Sequence, residues 1–300
     1  MLDAPDDPER PLRLGLPSKG RLSEIATSLL AQAGLKYRRQ ARSLFARVSG
    51  LPVDLIFLRT DDIPTLCAEG AIDMGITGSD LVEEAAVDIR TRMKLGVGRC
   101  RLAVCVTEDS SYQSPGDLNG IRIATSFPNV TRQYFQRHGL RAHMVNLSGS
   151  VEVMIGLGVA DAIVDLVETG STLAANRLRV LDDIGHYETV LIQNEATATH
   201  PKRIEVADRI VRRLEGVVIA RDYSLLEYHI PESQFPAAKA ITPGIDSPTV
   251  NRLNGQSNQE QSKLSIRVMV RRGDIIECME QLEAIGATAI LETPITNCRL

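Results

Sequence analysis

A carboxylate followed by a cluster of hydroxyls lies in the second half of the chain. Asp165 stands inside the apolar run 162–167, and the sequence Thr169-Gly170-Ser171-Thr172 follows that run almost directly. Such a run is typical of a buried strand, where a carboxylate is costly unless it is paired or lies near the open end of the strand. We therefore expect Asp165 to lie near the exit of a strand, close to the hydroxyl cluster.

The hydroxyl cluster has the composition of a phosphate-binding loop. Gly170 permits a tight turn and the close approach of a ligand to the backbone. A helix that begins there directs free N–H groups and its positive dipole end toward an anion. Asp165 could then accept hydrogen bonds from the vicinal hydroxyls of a sugar whose phosphate the loop binds. The alternative is a helix N-cap with a tight turn, where Ser and Thr are common in any case, and the loop alone leaves both alternatives open.

Strands and helices alternate through the first two-thirds of the chain. The strand candidates are the runs LRLGL, VDLIFL, IDMGI, RLAVCV, IRIAT, AIVDLV and VLIQ. Periodic segments over 22–33 and 130–138 predict helices between them, and a further helix is predicted over LAANRLRV, after the hydroxyl cluster. This alternation is typical of an α/β fold with largely parallel sheets.

Two pairs of segments resemble one another. RLGLPSKG (13–20) and RIATSFPN (122–129) are both strands that begin with Arg and end in a polar turn with proline. GAIDMGITGSD (70–80) and GVADAIVDLVETG (158–170) both have Gly-x-x-Asp before an apolar core and a polar end with Thr and Gly. Chance similarity between two βα units is one explanation. We favour two similarly built lobes that contribute strand-end loops to one cleft, where open α/β sheets bind ligands.

The last quarter of the chain has a different pattern. Strand-like and helix-like segments alternate there in the order expected of a compact βαββαβ unit, with helices over SQFPAAKAI and DIIECMEQLEAIG. Residues 251–263 are polar, contain Gly and lack periodicity, so they are predicted to form a loop or a disordered segment. This last unit is expected to be a separate small domain.

The segment 152–173, EVMIGLGVADAIVDLVETGSTL, resembles the signature of the ATP phosphoribosyltransferase family, whose members catalyse the first step of histidine biosynthesis. The matching positions are Glu152, Gly158, Ala160, Ile163, Asp165, Thr169, Gly170, Thr172 and Leu173. So many fixed positions at fixed spacing are more specific than a lone glycine-rich triplet. The resemblance extends over nearly the whole chain from around Leu12, and it favours the phosphate-binding alternative for the loop.

The resemblance implies a two-lobed, periplasmic-binding-protein-like catalytic core and a C-terminal ferredoxin-like βαββαβ domain. The expected boundaries are a disordered tail over 1–10, lobe I over 11–107 plus 188–223, lobe II over 108–187, and a regulatory domain over 224–300. The closing unit resembles the carboxy-terminal extension of the family's long form, which binds histidine as a feedback inhibitor. Histidine inhibition and a hexameric assembly are therefore implied.

The implied reaction transfers a phosphoribosyl group. N1 of the adenine of ATP displaces pyrophosphate from the anomeric carbon of phosphoribosyl pyrophosphate (PRPP), which gives phosphoribosyl-ATP. The ribose develops oxocarbenium character, so a nearby carboxylate, for which Asp165 is the candidate, would stabilise it as glycosidase carboxylates do. Mg2+ is the implied cofactor; it favours phosphate oxygens, and the substrate is expected to carry most of its coordination. No general base is evident.

The resemblance also assigns substrate-binding residues. Those expected to bind the phosphate and ribose of PRPP are Asp165, Glu168, Thr169, Gly170, Ser171 and Thr172. Those expected to bind ATP or substrate anions are Lys19, Gly20, Arg21, Arg59, Thr77, Gly78 and Asp80. A helix N-cap is the alternative for Asp80, and a solvated charge at a strand end is the alternative for Arg59.

Two positions depart from the family pattern, and one helix start has two interpretations. Phe127 stands where the family usually has Tyr, so a phenolic hydrogen bond cannot be carried over. The run VEVM (151–154) differs from the usual run and indicates a change of packing. The segment TRQYF (131–135) is the start of an ordinary amphipathic helix, or of a helix whose N-terminus faces an anion.

The composition argues against several other classes of protein. The net charge of −4 gives no reason to expect a nucleic-acid partner. No run approaches the roughly 18 apolar residues of a membrane span, and the acidic start of the chain does not resemble a secretory signal. Five scattered cysteines indicate reduced thiols in a cytoplasmic protein. The alternative function is a two-lobed solute-binding or sensing protein without catalysis, because such proteins share the alternating lobes.

Overall fold

The computed structural model describes residues 10–40, 43–195, 200–253 and 262–299. The chain forms two compact units. The first extends to Ala31 and then covers Leu35–Val211, and the second comprises Gln32–Gly34 and Arg212–Leu300. Within the described ranges, no helix combines the length and the apolar character needed to cross a membrane.

The first unit is built on two sheets with helices against them. Its strands are β1 (Leu12–Pro17), β2 (Phe45–Arg47), β3 (Val53–Leu58), β4 (Met74–Gly78), β5 (Arg90–Lys94), β6 (Cys100–Thr107), β7 (Arg122–Thr125), β8 (His143–Asn146), β9 (Ala162–Val167), β10 (Leu178–Tyr187) and β11 (Thr189–Gln193). The helices are α1 (Arg21–Gln32), α2 (Asp62–Ala68), α3 (Ser79–Ala85), α4 (Pro128–Arg137), α5 (Ser171–Ala175) and α6 (Pro201–Asp222), which continues into the second unit. Each strand candidate of the first two-thirds of the sequence is found as a strand.

The first sheet, which we call lobe I, has the strand order β2-β3-β1-β4-β11-β5. β1 pairs in parallel with both β3 and β4, while β11 is antiparallel to β4. The central strands are buried on both faces, as expected for a parallel sheet covered by helices. The carboxyl ends of β3, β1 and β4 therefore meet at one edge of this sheet.

The second sheet, lobe II, has the order β10-β6-β9-β7-β8. β7 pairs in parallel with β8 and β9, while β6 is antiparallel to β9. The order β8-β7-β9-β6 thus repeats the order β3-β1-β4-β11 of lobe I, with the same strand directions. The expectation of an α/β core with two similarly built lobes is confirmed.

The segments that resemble one another in sequence form the same contact in both lobes. In lobe I the main-chain N–H of Arg13 donates to the carboxylate of Asp73 at 2.7 Å, and the N–H of Asp73 donates to the carbonyl of Arg13 at 2.9 Å. In lobe II Arg122 and Asp161 exchange the same two bonds, each at 2.9 Å. A guanidinium completes each contact: that of Arg10 lies 2.6 Å from Asp73, and that of Arg122 lies 2.8 Å from Asp161. We call these contacts the Arg–Asp clamps.

Strand β6 belongs to lobe II, which corrects one expected boundary. The sequence predicts lobe I over 11–107, but Cys100–Thr107 pairs with β9 and β10, and residues 102–106 are fully buried there. An apolar strand carries no mark of the sheet that it joins, so the alternation of elements could not place this boundary. The chain enters lobe II before Cys100 and returns to lobe I between Tyr187 and Thr189.

The helix predicted over LAANRLRV is shorter than expected. α5 ends at Ala175, and from Leu178 onward the chain forms β10, which pairs antiparallel with β6. Leu, Ala and Arg favour a helix, but β6 offers a free edge on which these residues complete a hydrogen-bonded ladder. Tertiary context therefore overrides helix propensity here.

Residues at the borders of the expected tail and of the expected loop are ordered parts of the fold. Residues 1–9 lie outside the described residues, whereas Arg10 is buried in its ion pair with Asp73 and is not part of a disordered tail. In the segment 251–263, residues 251–252 end strand β13 and Lys263 begins β14, because both ends pair in a sheet. Residues 254–261 lie outside the described residues.

The second unit confirms the predicted ferredoxin-like fold. After α6 it contains β12 (Tyr223–Pro231), α7 (Phe235–Ile241), β13 (Thr249–Arg252), β14 (Lys263–Arg271), α8 (Ile275–Ala284) and β15 (Thr288–Pro294). The strands form one antiparallel sheet in the order β13-β14-β12-β15. Alternate residues of β12, Leu226, Tyr228 and Ile230, are buried in a core with residues of α7 and α8. This period-2 burial is typical of a sheet covered on one face.

Candidate active site

The loops at the carboxyl ends of β1, β3 and β4 carry the lobe I candidates. Lys19 and Gly20 lie between β1 and α1, and Arg21 is the first residue of α1. Arg59 follows β3 directly, and residues 77–80 end β4 and begin α3. Because the three strands are parallel neighbours, lobe I places all of these candidates along one edge, where α/β sheets bind ligands.

Asp80 is buried in the first turn of α3 and is not its N-cap. The N-cap is Gly78, and a Cβ on Gly78 would overlap the carboxylate of Asp80, which explains the glycine. Burial raises the pKa of Asp80, while the main-chain N–H groups of Leu81 and of Asp80 itself oppose that rise. The N-cap alternative is therefore wrong, and Asp80 is a desolvated carboxylate beneath the loop.

The other lobe I candidates differ in burial. Thr77 is fully buried, and its hydroxyl donates to the carbonyl of Thr60 at 3.3 Å, which ties the end of β4 to the loop after β3. Lys19 and Arg59 are exposed, and neither forms an ion pair with any residue that the structure describes. Both side chains thus place a solvent-exposed positive charge at this edge of the sheet.

Asp165 lies where the sequence predicts, near the exit of β9. By alternation along the strand it shares a face with Ile163 and Val167, which belong to one core cluster of lobe II. The side chain is half-buried, and its Oδ1 accepts the N–H of Leu166 at 2.8 Å. Burial raises the pKa of Asp165, the N–H of Leu166 opposes the rise, and the negative charge of Glu152 adds to it.

The predicted PRPP residues line one cavity of about 260 Å³. Its walls are formed by Glu152 together with Asp165, Leu166, Val167, Glu168, Thr169, Gly170, Ser171, Thr172 and Leu173. Gly170 has φ of 79°, and a Cβ there would meet no atom, so the backbone conformation rather than crowding requires glycine. The hydroxyls of Thr169 and Ser171 lie 3.1 Å apart. A carboxylate and a group of hydroxyls therefore face one concave site.

One ion pair brings the two sets of candidates together. The guanidinium of Arg21, from lobe I, pairs with the carboxylate of Glu168, from lobe II. Cys100 begins β6 of lobe II, and the charges of Asp80 and Arg21 of lobe I act on its thiol. Burial raises the pKa of this thiol to about 11. The charge of Asp80 contributes to the rise, and the charge of Arg21 opposes it. The loops that carry the candidate residues of both lobes thus face each other.

The site contains a residue to which the sequence interpretation gave no role. Glu152 lies in the short 3-10 turn Val151–Val153 and lines the cavity beside Asp165. Its place in the signature segment was the signal that could have identified it. Phe127 is buried in the second core cluster of lobe II. In the run 151–154, Val151 is buried and Met154 packs partly buried against the first cluster, whereas Val153 is exposed.

Comparisons with known proteins agree over the whole chain. A family model described as "HisG: ATP phosphoribosyltransferase" matches residues 59–216, and one described as "HisG, C-terminal domain" matches residues 220–297. An ATP phosphoribosyltransferase of Rhodopirellula baltica is 66% identical over 299 residues, which cover 100% of this chain and 97% of that protein. One of Methanopyrus kandleri is 36% identical over 285 residues, 95% of this chain and 98% of that protein.

A solved structure supports the same similarity. A chain of the ATP phosphoribosyl transferase (HisG:HisZ) complex from Thermotoga maritima superposes with a TM-score of 0.61 at 28% sequence identity. The match covers 69% of this chain and 97% of that chain.

Proposed function

The chain belongs to the ATP phosphoribosyltransferase family, and from that premise we propose how its residues divide the reaction between the two lobes. The enzyme transfers the phosphoribosyl group of PRPP to ATP, which gives phosphoribosyl-ATP and pyrophosphate, in histidine biosynthesis. The solute-binding alternative is therefore set aside.

The PRPP site is the cavity at the end of β9. It offers the hydroxyls of Thr169, Ser171 and Thr172 and the first N–H groups of α5 to the 5′-phosphate, while Asp165 and Glu168 accept hydrogen bonds from the ribose hydroxyls. The observation that carries this assignment is that one cavity of about 260 Å³ holds the carboxylates and the hydroxyls together. Hydrogen bonds to a charged phosphate are roughly twice as strong as neutral ones, so this loop supplies much of the PRPP affinity.

Asp165 stabilises the positive charge that develops on the ribose. The charge is more effective where water is partly excluded, and Asp165 is half-buried. Its role requires the ionised form, so the raised pKa sets the acid limit of activity.

ATP and the pyrophosphate leaving group face the cations of lobe I. Lys19 and Arg59 are exposed and form no ion pair within the described part of the chain, and Arg21 holds only the exposed Glu168. Exposed ion pairs are weak, so Arg21 exchanges Glu168 for a phosphate at little cost. The loop 77–80 completes this side of the crevice.

Mg2+ acts with the substrates rather than in a protein cage. No group of three or more His, Cys, Asp or Glu side chains among the described residues is arranged to hold a metal ion. The cavity nevertheless offers carboxylates of Glu152, Asp165 and Glu168, the oxygen donors that Mg2+ accepts. One or two of these carboxylates would hold the ion, directly or through water, where it would supply positive charge to the pyrophosphate.

Histidine inhibits the enzyme by binding the second unit. That unit contains a cavity of about 370 Å³, whose lining includes Arg271, Asp274 and residues 241–245. A basic and an acidic residue in one lining, Arg271 and Asp274, suit the two charges of a free amino acid. Inhibition from this site requires two states of the enzyme with different histidine affinities. We also propose a cytoplasmic hexamer, in keeping with the family's long form.

The test is a mass-spectrometric assay of the full-length enzyme with ATP, PRPP and Mg2+. We expect phosphoribosyl-ATP and one pyrophosphate for each ATP consumed, lost on chelation of Mg2+ and reduced by histidine. Pyrophosphate without phosphoribosyl-ATP would contradict the transfer, and unchanged turnover at saturating histidine would contradict the regulatory assignment alone.

A further inference from the structure

Glu84 of lobe I binds the first turn of a helix of lobe II. Its two carboxylate oxygens each accept the main-chain N–H of Asn129 at 3.0 Å, and Oε2 also accepts the N–H of Val130 at 3.0 Å. The side-chain amide of Asn129 donates in turn to the main-chain carbonyl of Glu84 at 2.8 Å. α3 and α4 are therefore joined across the crevice by both the side chain and the main chain of one residue.

Helix α4 has no cap of its own. Its N-cap residue, Phe127, offers no side-chain hydrogen bond, and Pro128 at the first helical position has no N–H. The N–H groups of Asn129 and Val130 are the next donors without partners inside the helix, and an anion beside them is favoured by the helix dipole. Glu84 supplies the missing cap from the other lobe. It occupies the place that the sequence left open for an anion at this helix start.

The rest of the turn before α4 is held from within lobe II. The N–H of Phe127 donates to the hydroxyl of Thr125 at 2.9 Å, and the hydroxyl of Thr131 donates to the carbonyl of Phe127 at 2.6 Å. Thr125 and Thr131 are fully buried. The shape of the turn 125–131, which we call the β7 turn, is thus fixed inside lobe II, and Glu84 fixes its position relative to lobe I.

Both ends of the contact lead to the candidate active site. The β7 turn follows β7, and β7 pairs with β9, the strand that carries Asp165. Glu84 lies in α3, which begins directly after Gly78 and holds Asp80 in its first turn. The contact therefore connects the loop at the end of β4, on the proposed ATP side, with β7, the neighbour of the strand that leads into the PRPP loop.

The contact also lies beside a point where the chain crosses between the lobes. Glu83 accepts a hydrogen bond from the hydroxyl of Tyr187 at 3.0 Å, and the N–H of Glu188 donates to the hydroxyl of Ser79 at 3.1 Å. The Glu84 contact therefore lies close to the connection between the two lobes.

We infer that Glu84 is a positioning residue for the transfer reaction. Through the cap on α4 it holds the β7 turn of lobe II against the end of β4 and the start of α3 in lobe I. The inference rests on the proposed function, since the crevice between these loops is where ATP and PRPP react. Losing the cap changes the relative placement of the two substrate sites, so it affects turnover as well as stability.

The test compares steady-state kinetics of the full-length wild type, Glu84→Ala and Glu84→Gln with ATP and PRPP. We expect kcat of Glu84→Ala to fall about tenfold, because the N–H groups of Asn129 and Val130 lose their charged acceptor and the β7 turn loses its fixed position, with smaller changes in both KM values. Glu84→Gln keeps an acceptor oxygen and should recover most of kcat. Asn129→Ala is the matched control, because it keeps the cap while it removes the side-chain amide bond between the same helices, together with an exposed bond from Arg132 within α4. It should stay within about twofold of the wild type.

Melting temperatures of all variants separate this role from a structural one. A folded Glu84→Ala enzyme with wild-type kcat and KM values overturns the inference, whether or not its melting temperature falls. An equal loss of kcat in Asn129→Ala also overturns it, because helix packing would then matter rather than the cap. If Glu84→Ala does not fold, Glu84→Asp decides: its carboxylate is one methylene too short, and wild-type turnover in that variant overturns the inference. A wild-type enzyme that makes no phosphoribosyl-ATP would contradict the proposed function instead.

Discussion

The guanidinium of Arg21 and the carboxylate of Glu168 form an ion pair that joins the loop after β1 in one lobe to the loop after β9 in the other. The two side chains are 53% and 45% exposed, and exposed pairs of this kind contribute at most about 1 kcal/mol. Each partner is a substrate-binding candidate on its own side of the crevice. Under the proposed function the pair is a weak closure of the free enzyme, and we expect the substrates to replace it.

Arg21→Ala should weaken substrate binding without unfolding the enzyme. We expect the KM for ATP to rise about tenfold from the loss of one charge-assisted contact, while the free energy of unfolding changes by less than about 1 kcal/mol. Kinetics and urea unfolding measure the two effects. Arg209→Ala, which breaks another exposed ion pair on α6, is the control and should leave KM unchanged. A large loss of stability in Arg21→Ala alone would contradict a weak closure.

Thr169→Ala and Thr172→Ala test the phosphate loop. Removal of a hydroxyl that donates to a charged phosphate costs about 1.5–3 kcal/mol, so the Kd for PRPP should rise roughly ten- to hundredfold. Calorimetric titration should show a much smaller change for ATP. Thr288→Ala removes an exposed hydroxyl in the second unit and serves as the control. Equal losses for both substrates would mean that the loop is only structural.

Asp165→Asn should slow the enzyme and stabilise it. Burial raises the pKa of Asp165, so the folded state binds the proton more tightly than the unfolded state, and the ionised carboxylate costs stability at neutral pH. We expect kcat to fall about a hundredfold, more than KM rises, and the melting temperature at neutral pH to increase.

Asp161→Asn is the matched control for this pair of effects. Hydrogen bonds from Arg122 lower the pKa of Asp161, so its ionised form stabilises the fold at neutral pH, and that contribution is lost as pH falls through the lowered pKa. The control should therefore lower the melting temperature and leave kcat nearly unchanged. An unchanged kcat in folded Asp165→Asn would refute the electrostatic role.

Glu152→Gln should move the acid limb of the pH profile. The charge of Glu152 contributes to the raised pKa of Asp165, because a neighbouring like charge disfavours ionisation. Without that charge Asp165 ionises at lower pH, so kcat should persist to more acidic conditions. A profile of kcat against pH measures the shift. A limb that moves to higher pH, or one that does not move, would argue against Asp165 as the titrating group.

Asp274→Ala should reduce inhibition by histidine while basal turnover stays the same. Loss of the partner for an amino group corresponds to about a tenfold rise in the inhibitory histidine concentration. Glu280→Ala changes an exposed acid within α8, the helix that follows Asp274, and should have no effect. Wild-type sensitivity in Asp274→Ala would place the histidine site elsewhere in the molecule.

The strand-end loops could be predicted from sequence because their signals are local. An apolar strand, a glycine and a run of hydroxyls stand next to one another in the Asp165–Thr172 segment, and the cavity gathers the same residues. The contact between Arg21 and Glu168 has no local signal, because it depends on how two lobes face each other. The cap that Glu84 places on α4 was missed for the same reason.

The errors in the secondary structure have a similar origin. The helix predicted over 173–180 ends early, because residues 178–180 begin β10, which completes the free edge of β6. The sequence of β6 has the pattern of any apolar strand, and only its pairing with β9 and β10 shows that it belongs to lobe II. Asp80 has the residue type of an N-cap, yet Gly78 takes that position and leaves the carboxylate buried.

The Arg–Asp clamps have a consequence for how this enzyme can change over evolutionary time. Each clamp fastens the amino ends of two parallel strands, Arg13 with Asp73 and Arg122 with Asp161, whereas the substrate loops leave the carboxyl ends. Residues that hold the scaffold and residues that choose the substrate are thus kept at opposite edges of each sheet. We therefore expect substitutions in the strand-end loops to change substrate preference over evolutionary time without breaking the clamps that hold the fold.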